Sequence, residues 1–174
     1  MASPSLRKQR SAPNAAYLGV SCREMGVSYS ELAAEDLEEC AAVFVEAFAS
    51  PPWSQNWSLS SALERLKSLY GNESSIGCKA TAHERICGFV IGEVEQWNSS
   101  QLFMIKELCV AVSQQRRGIG RQVIEMLLNK LPPNVEKVYL LTDREGPAKL
   151  FYESLGFSTN ENAVVMGKVL NVRS

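Results

Sequence analysis

The segment Val110-Ala111-Val112-Ser113-Gln114-Gln115-Arg116-Arg117-Gly118-Ile119-Gly120-Arg121 joins an apolar, strand-like run to an amphipathic helix. Beyond it, Ile119, Val123 and Leu127 recur at the spacing of one helical face. A helix that opens directly after a polar loop presents free backbone N–H groups at the positive end of its dipole. Because the glycines let the backbone come close to an anion, we expect this loop to bind a phosphate group.

The loop has one alternative interpretation, and the sequence excludes two others. Its glycines could serve packing alone, with Arg116, Arg117 and Arg121 on a solvated face. A nucleotide-binding P-loop is excluded because no Gly-Lys-Ser/Thr follows. A dinucleotide fingerprint is excluded because Val123 stands at the third glycine position.

The pattern on either side of the junction predicts a mixed α/β domain. Strand-like runs at 76–82, 86–95 and 102–112 are separated by short turns, which indicates an antiparallel meander. They are preceded by a strand at 27–32, a helix at 35–48 and a helix after Ser58. They are followed by a helix from Ile119, a strand at 138–142, a helix opened by Pro147 and a strand at 163–169. The order βααβββαβαβ predicts a single mixed, mostly antiparallel sheet flanked by helices.

Length and composition indicate one globular domain. The chain has 174 residues, of which 45% are hydrophobic and 21% charged. Residues 1–26, rich in Ser, Ala, Pro and Arg, are expected to form a flexible tail, and residues 27–174 the domain. The same tail composition is compatible with an organellar transit peptide, although no amphipathic Arg-bearing helix is evident. No apolar run approaches the roughly 20 residues needed to cross a bilayer.

Charge and cysteine content narrow the class of function. Outside residues 1–26 the chain holds 14 of its 18 basic and 18 of its 19 acidic side chains, a net charge of −4. That balance argues against nucleic-acid binding and suits a cationic substrate. Five cysteines form no C-x-x-C pair, and His83 is the one histidine, so no metal site is predicted. We expect reduced thiols in a cytoplasmic protein.

Two motifs resemble the GNAT superfamily of N-acetyltransferases. The run 115–120, Gln-Arg-Arg-Gly-Ile-Gly, is similar to the family signature Q/R-x-x-G-x-G/A and has the family's placement between the fourth strand and the next helix. The run 148–157, Ala-Lys-Leu-Phe-Tyr-Glu-Ser-Leu-Gly-Phe, is similar to the family's A-x-x-F-Y-x-x-x-G-F segment. The resemblance implies the acyl-CoA N-acyltransferase fold and acetyl-CoA as cosubstrate. Glu145 departs from it, since many members have Asn there.

The resemblance also implies where acetyl-CoA binds. The backbone around Gln115, Arg116, Arg117, Gly118, Ile119, Gly120 and Arg121 would hold the pyrophosphate, and the pantetheine arm would lie along Leu108, Cys109 and Val110. There the family splays its fourth and fifth strands. An amide of this strand, that of Val110, would donate to the tetrahedral oxyanion.

Amine acetylation needs a base for the ammonium proton and an acid for the thiolate. The resemblance implies Tyr152 as the acid, although a purely packing role beside Phe151 and Phe157 is the alternative. Strand alternation places Glu107 on one face with Phe103, Ile105, Cys109 and Ala111, which makes it the first candidate base. The competing interpretation is that Glu107 simply pairs with an arginine or lysine.

Other groups remain candidates. Glu93, Glu95 and Asp143 are alternative bases, acting directly or through water. Cys109 could be a nucleophile, but no histidine lies nearby in sequence to activate it, and we favour direct transfer.

The acceptor is expected to be the primary amine of a small molecule. In the family, the region between the first two helices borders the acceptor site, and Trp53 and Trp57 lie there. They could form a wall over a cation or anchor the loop to the core. The spacing is similar to aminoglycoside 6′-N-acetyltransferase-like members, and a Pro-Trp-Ser segment also occurs in the branch that acetylates ribosomal-protein N-termini. A protein N-terminal acetyltransferase and a silent CoA-binding module are the alternatives, and a homodimer stays open.

Overall fold

Five strands form one mixed sheet in the computed structural model, which describes residues 26–170. The strands are β1 (Val27–Glu31), β2 (Ser75–Ala82), β3 (Arg85–Trp97), β4 (Ser100–Val110) and β5 (Val135–Leu140), in that order across the sheet. β1 to β4 are antiparallel neighbours, and β5 lies parallel to β4. The predicted fold class is therefore confirmed.

The meander depends on two tight turns. His83 and Glu84 connect β2 to β3, both with positive φ (51° and 62°), and Asn98 in the next turn has a φ of 51°. Two-residue connections of this handedness match the twist of antiparallel strands. The turns that the sequence placed here are present.

Four helices cover the two faces of the sheet: α1 (Leu37–Ala49), α2 (Leu59–Tyr70), α3 (Ile119–Lys130) and α4 (Pro147–Glu153). A short 3-10 turn at Ala34–Asp36 precedes α1, where the sequence predicted continuous helix. Ser58 caps α2 by accepting the N–H of Ser61 at 3.1 Å. Pro147 opens α4 as predicted.

The core divides into one layer on each face. On the first, Phe44 of α1 and Leu66 of α2 pack on Phe89, Ile91 and other sheet residues. The second layer packs α3 on the opposite face, with Val123 and Leu127 against side chains that include Val90 and Phe103. Fully buried phenylalanines in both layers make the sheet a rigid support for the residues on β4.

Strict alternation along β4 was a wrong prediction, because the strand contains a β-bulge. Ile91 pairs with Glu107 whereas Gly92 pairs with Ile105, so Lys106 is the additional residue. Phe103 and Ile105 consequently face α3, while Cys109 and Ala111 face α1 and α2. The bulge therefore turns Glu107 away from the α3 layer.

The predicted strand at 163–169 was also wrong. The structure has no strand there, and Val164, Val165, Met166 and Val169 are between 78% and 94% exposed. High β-propensity does not make a strand without a neighbouring strand to pair with. The prediction for residues 1–25 of the tail, including Cys22, lies outside the described residues.

Candidate active site

β4 extends beyond the end of its neighbour β5. The last paired residues are Ile105 on β4 and Leu140 on β5, yet β4 continues to Val110. On one side, β3 still pairs with Leu108, Cys109 and Val110. On the other side, these three residues have no partner on β5. The two parallel strands thus separate at the residues predicted to line the pantetheine arm.

The open edge presents a backbone donor near its end. The Ala111 N–H donates to the Cys87 carbonyl on β3 at 2.9 Å. Because successive amides of a strand point to opposite sides, the Val110 N–H points away from β3. On the same side, the Val110 carbonyl accepts the side-chain amide of Gln115 at 3.1 Å. The Val110 N–H is therefore a backbone donor on the open edge of β4.

The predicted phosphate loop exposes backbone donors at the start of α3. Gly118 is the N-cap of α3, in the left-handed region with a φ of 82°, and its Cα faces open space. The backbone N–H of Gln122 donates to Gly118 O, so the amides of residues 119–121 precede the first intrahelical bond. Arg116 also has a positive φ, 61°. Together these give an open, donor-rich helix start that would accommodate a pyrophosphate.

One contact holds this loop against α1, and a second lies within the loop. The Val112 N–H donates to the Glu46 carboxylate of α1 at 3.0 Å, and Arg117 Nη1 donates to Gln114 Oε1 at 3.3 Å. Sequence reasoning missed Glu46, since 66 residues separate it from its partner. An exposed carboxylate on α1 carries no sequence signal for such a contact.

The start of α3 also packs against α4. Arg121 Nη2 donates to the carbonyl and the hydroxyl of Ser154 at 3.1 and 3.2 Å. A side chain on Gly120 would lie 3.3 Å from the ring of Phe151. The Arg121 side chain and the second glycine of the motif therefore fix α4 relative to the loop. Ile119 is buried in the core, at 1% exposure.

Glu107 is the one charged side chain among the buried residues of the described chain, with 7% of its surface exposed. Arg65 of α2 bonds to it, Nε at 2.7 Å and Nη2 at 2.5 Å, both to Oε1. Burial raises the pKa of Glu107, and the Arg65 charge and hydrogen bond oppose that rise. Both sequence interpretations are thus present together, a carboxyl with a raised pKa and an ion pair.

Tyr152 lies on α4 within an aromatic cluster. Its ring centroid is 5.2 Å from that of Phe151 and 5.5 Å from that of Phe157, both edge-on. Burial raises the pKa of Tyr152, and negative charge on Cys109 and Glu107 would raise it further. The structure therefore brings these three groups within electrostatic reach of one another, and the phenol keeps its proton at neutral pH.

Cys109 is a poor candidate for a nucleophile. Its side chain is buried, and burial together with the Glu107 charge raises the pKa of its thiol well above the ordinary value. A reactive cysteine needs the opposite, a positive environment that favours the thiolate.

The alternative carboxylates have other surroundings. Glu93 accepts the Ser74 hydroxyl at 3.1 Å, and Glu95 accepts the Tyr139 hydroxyl at 2.6 Å. Lys106 lies 3.6 and 3.8 Å from these two carboxylates. Asp143 is exposed in the loop after β5. None of these three acids is buried as Glu107 is.

The two tryptophans flank α1. Trp57 packs edge-on against the buried ring of Phe44, 5.1 Å between centroids, and its indole N–H donates to Gln55 at 2.8 Å. Trp53 packs against Phe48 at 5.7 Å. Trp57 is thereby an anchor of the loop between α1 and α2.

Between residues 26 and 170, no three His, Cys, Asp or Glu side chains are placed so that they could hold a metal ion. No helix in that part of the chain is long and apolar enough to span a membrane.

Comparison with known proteins identifies the family. The acetyltransferase (GNAT) domain profile matches residues 74–159, which include β2 to α4. A possible acetyltransferase from Clostridium difficile 630 is 18% identical with a TM-score of 0.70, covering 83% of this chain and 99% of that one. An aminoglycoside acetyltransferase from an uncultured soil metagenomic sample, in complex with sisomicin, is 23% identical with a TM-score of 0.66, covering 85% and 99%.

A ribosomal-protein-alanine N-acetyltransferase from Brucella melitensis biovar Abortus 2308 is 16% identical with a TM-score of 0.64, covering 82% of this chain and 99% of that one. No curated protein sequence matches the chain significantly. The domain profile, the fold and the glycine loop at the start of α3 agree, and residues 74–159 of the chain form a GNAT acetyltransferase domain.

Proposed function

We propose that the protein transfers the acetyl group of acetyl-CoA to the primary amine of a small molecule, using residues 27–174 as its catalytic domain. The observation that carries the proposal is the position of Glu107. This buried carboxylate lies on β4 just beyond the end of the β4–β5 pairing, between that opening and α2. A base for the ammonium is needed there.

The acetyl-CoA site of the proposal consists mainly of backbone. The amides of residues 116–121 would hold the pyrophosphate, with Gly118 allowing close approach. The pantetheine arm would pair with the open edge of β4 along Leu108, Cys109 and Val110. Gln115 keeps the loop tied to this edge.

Each proton of the proposed reaction has an assigned group. Glu107 accepts one proton from the acceptor ammonium, and the neutral amine forms a C–N bond to the thioester carbon. The Val110 N–H donates a hydrogen bond to the resulting oxyanion. As the C–S bond breaks, Tyr152 gives its proton to the departing sulfur, and the raised pKa of its phenol is consistent with an acid that is protonated beforehand. The second proton of the amine nitrogen passes to the Tyr152 phenolate, which leaves the amide, the CoA thiol and a neutral phenol, and Glu107 releases the first proton to solvent.

The acceptor class rests on charge and on structural likeness. Glu93 and Glu95 lie on the strand next to Glu107 and share the single ammonium of Lys106, and the excess of one negative charge favours a cationic acceptor. The likeness to an aminoglycoside acetyltransferase supports a small-molecule amine. A protein N-terminus is the second candidate, because the ribosomal-protein-alanine acetyltransferase has the same fold. A CoA-binding module without activity is the third.

A thiol-release assay separates the three candidates. The protein is incubated with acetyl-CoA and a panel of polyamines, aminoglycosides, amino sugars and N-terminal peptides, and free CoA is measured. We expect turnover with a small amine that falls about 100-fold or more in Glu107→Gln. Turnover with peptides alone would favour the second candidate. Silence across the panel, with acetyl-CoA still protecting the protein against heat, would favour the third.

A further inference from the structure

Arg65 of α2 contacts the candidate base, Glu107, on β4. It lies on α2 between Ala62 and Leu66, the two buried residues of that helix, and its side chain crosses to the sheet. The Arg65 side chain is 43% exposed whereas the Glu107 side chain is 8% exposed. Arg65 therefore closes over a carboxylate that is otherwise buried.

Both contacts of the pair go to the same carboxylate oxygen. Arg65 Nε and Nη2 lie 2.7 and 2.5 Å from Glu107 Oε1. Two nitrogens of one planar guanidinium that converge on Oε1 hold this oxygen in place more strongly than one ammonium would. Because both contacts go to Oε1, Oε2 is the oxygen that can accept a proton from an ammonium.

We propose that Arg65 is the positioning residue of the reaction: it holds Glu107 by Oε1 and presents Oε2 to the acceptor amine. The inference rests on the proposed function, because it assumes that Glu107 is the base. Arg65 itself neither gives nor takes a proton, since a guanidinium stays charged at every working pH.

The same contact sets the charge state of Glu107. Arg65 on α2 is the charged group that acts on the pKa of Glu107, and Glu107 in turn acts on the pKa values of Cys109 on β4 and Tyr152 on α4. Cys109 and Tyr152 are neutral at neutral pH because burial raises both pKa values. Lys106 is directed to Glu93 and Glu95. Arg65 is thus the charge that opposes the effect of burial, and without it the pKa of Glu107 would rise further.

The test compares Arg65→Gln and Arg65→Lys with Arg85→Gln as the matched control. Arg85 also bonds to a glutamate, Glu39, but its side chain is 79% exposed and lies at the surface. For each variant, kcat/KM is measured against pH with saturating acetyl-CoA and the best amine of the panel. A side-chain carboxyl NMR titration of Glu107 in the free protein provides a readout that needs no acceptor.

We expect Arg65→Gln to lower kcat by about 100-fold at neutral pH, the cost typical of a misplaced reacting group. The acid limb of kcat/KM and the Glu107 titration should both move to higher pH, while the KM for acetyl-CoA stays the same. Arg65→Lys keeps the charge but loses the planar guanidinium. The acid limb of its kcat/KM profile should therefore stay near that of the wild type, while its kcat is only partly recovered. Arg85→Gln should behave as the wild type.

Two results would overturn the inference. The first is an unchanged pH limb and an unchanged Glu107 titration in Arg65→Gln, even with lower stability, since a structural role alone predicts that pattern. The second is a wild-type kcat in Arg65→Lys, which would show that the planar guanidinium is not needed to orient Glu107. If Arg65→Gln does not fold, the Arg65→Lys result decides. Full turnover in Glu107→Gln would instead refute the proposed base, which separates the two failures.

Discussion

Gly92→Ala tests the bulge that directs Glu107 towards α2. Gly92 pairs with Ile105 at the register shift between β3 and β4. A Cβ at this position would lie 2.4 Å from two ring carbons of Phe103 and 2.5 Å from the carbonyl oxygen of Met104. Phe103 is fully buried, and the Met104 oxygen belongs to the strand backbone, so neither can move freely.

The expected cost follows from these contacts. Overpacking of a buried site typically costs 1 to 3 kcal/mol, and contact with the backbone at Gly92 argues for the upper end, about 3 kcal/mol. Reduced entropy of the unfolded chain offsets at most about 1 kcal/mol of this. The net loss of about 2 kcal/mol in the free energy of unfolding corresponds to a Tm lower by about 4 to 8 °C for a domain of this size.

Urea unfolding followed by circular dichroism measures this loss. Gly167→Ala is the matched control because no atom lies within 4 Å of a Cβ built there. Its free energy of unfolding should stay within about 0.5 kcal/mol of that of the wild type. Phe103→Leu added to Gly92→Ala should recover part of the loss through a coupling between the two sites. A Gly92→Ala midpoint equal to that of Gly167→Ala would refute the register of β3 and β4 on which the bulge depends.

Three further substitutions probe the site itself. Gly118→Glu should abolish acetyl-CoA binding in calorimetry without unfolding the domain, because a carboxylate would face the phosphate. The control Gly26→Glu, at an equally open left-handed glycine, should bind acetyl-CoA normally. Retained affinity in Gly118→Glu would count against the loop as the phosphate site. Tyr152→Phe should reduce kcat by about 100-fold with little change in acetyl-CoA affinity, and unchanged turnover would exclude it as the acid. Cys109→Ala should keep turnover within about tenfold, whereas complete loss would favour an acyl-enzyme.

Local signals were sufficient for most of the fold. The turn at His83 and Glu84, the cap at Ser58 and the Pro147 start of α4 each act within a few residues, so the sequence alone predicted them. The loop around Gly118 belongs to the same class, since a left-handed residue before a helix is read from the glycine itself. These elements delimit the part of the molecule that surrounds the candidate site.

The errors share a dependence on partners distant in sequence. The bulge at Lys106 arises from pairing with β3, and alternation within β4 gives no sign of it. Arg65 meets Glu107 across 42 residues, and nothing in the pattern of α2 distinguishes Arg65 from an ordinary surface arginine. The segment 163–169 has strand propensity but no neighbouring strand, and propensity was all that the sequence displayed.

Burial raises the pKa of both ionisable groups that share this face of β4, but the charge nearest to each group acts on the two pKa values in opposite directions. It raises the pKa of Cys109 with the Glu107 charge acting in the same direction, which keeps the thiol protonated. It also raises the pKa of Glu107, but Arg65 opposes that effect and favours the carboxylate. Two residues apart on one strand, the thiol is thus unsuited to attack the thioester while the carboxylate can accept a proton. A base without a nucleophile requires the amine itself to attack, and the electrostatics of this face therefore favour direct transfer.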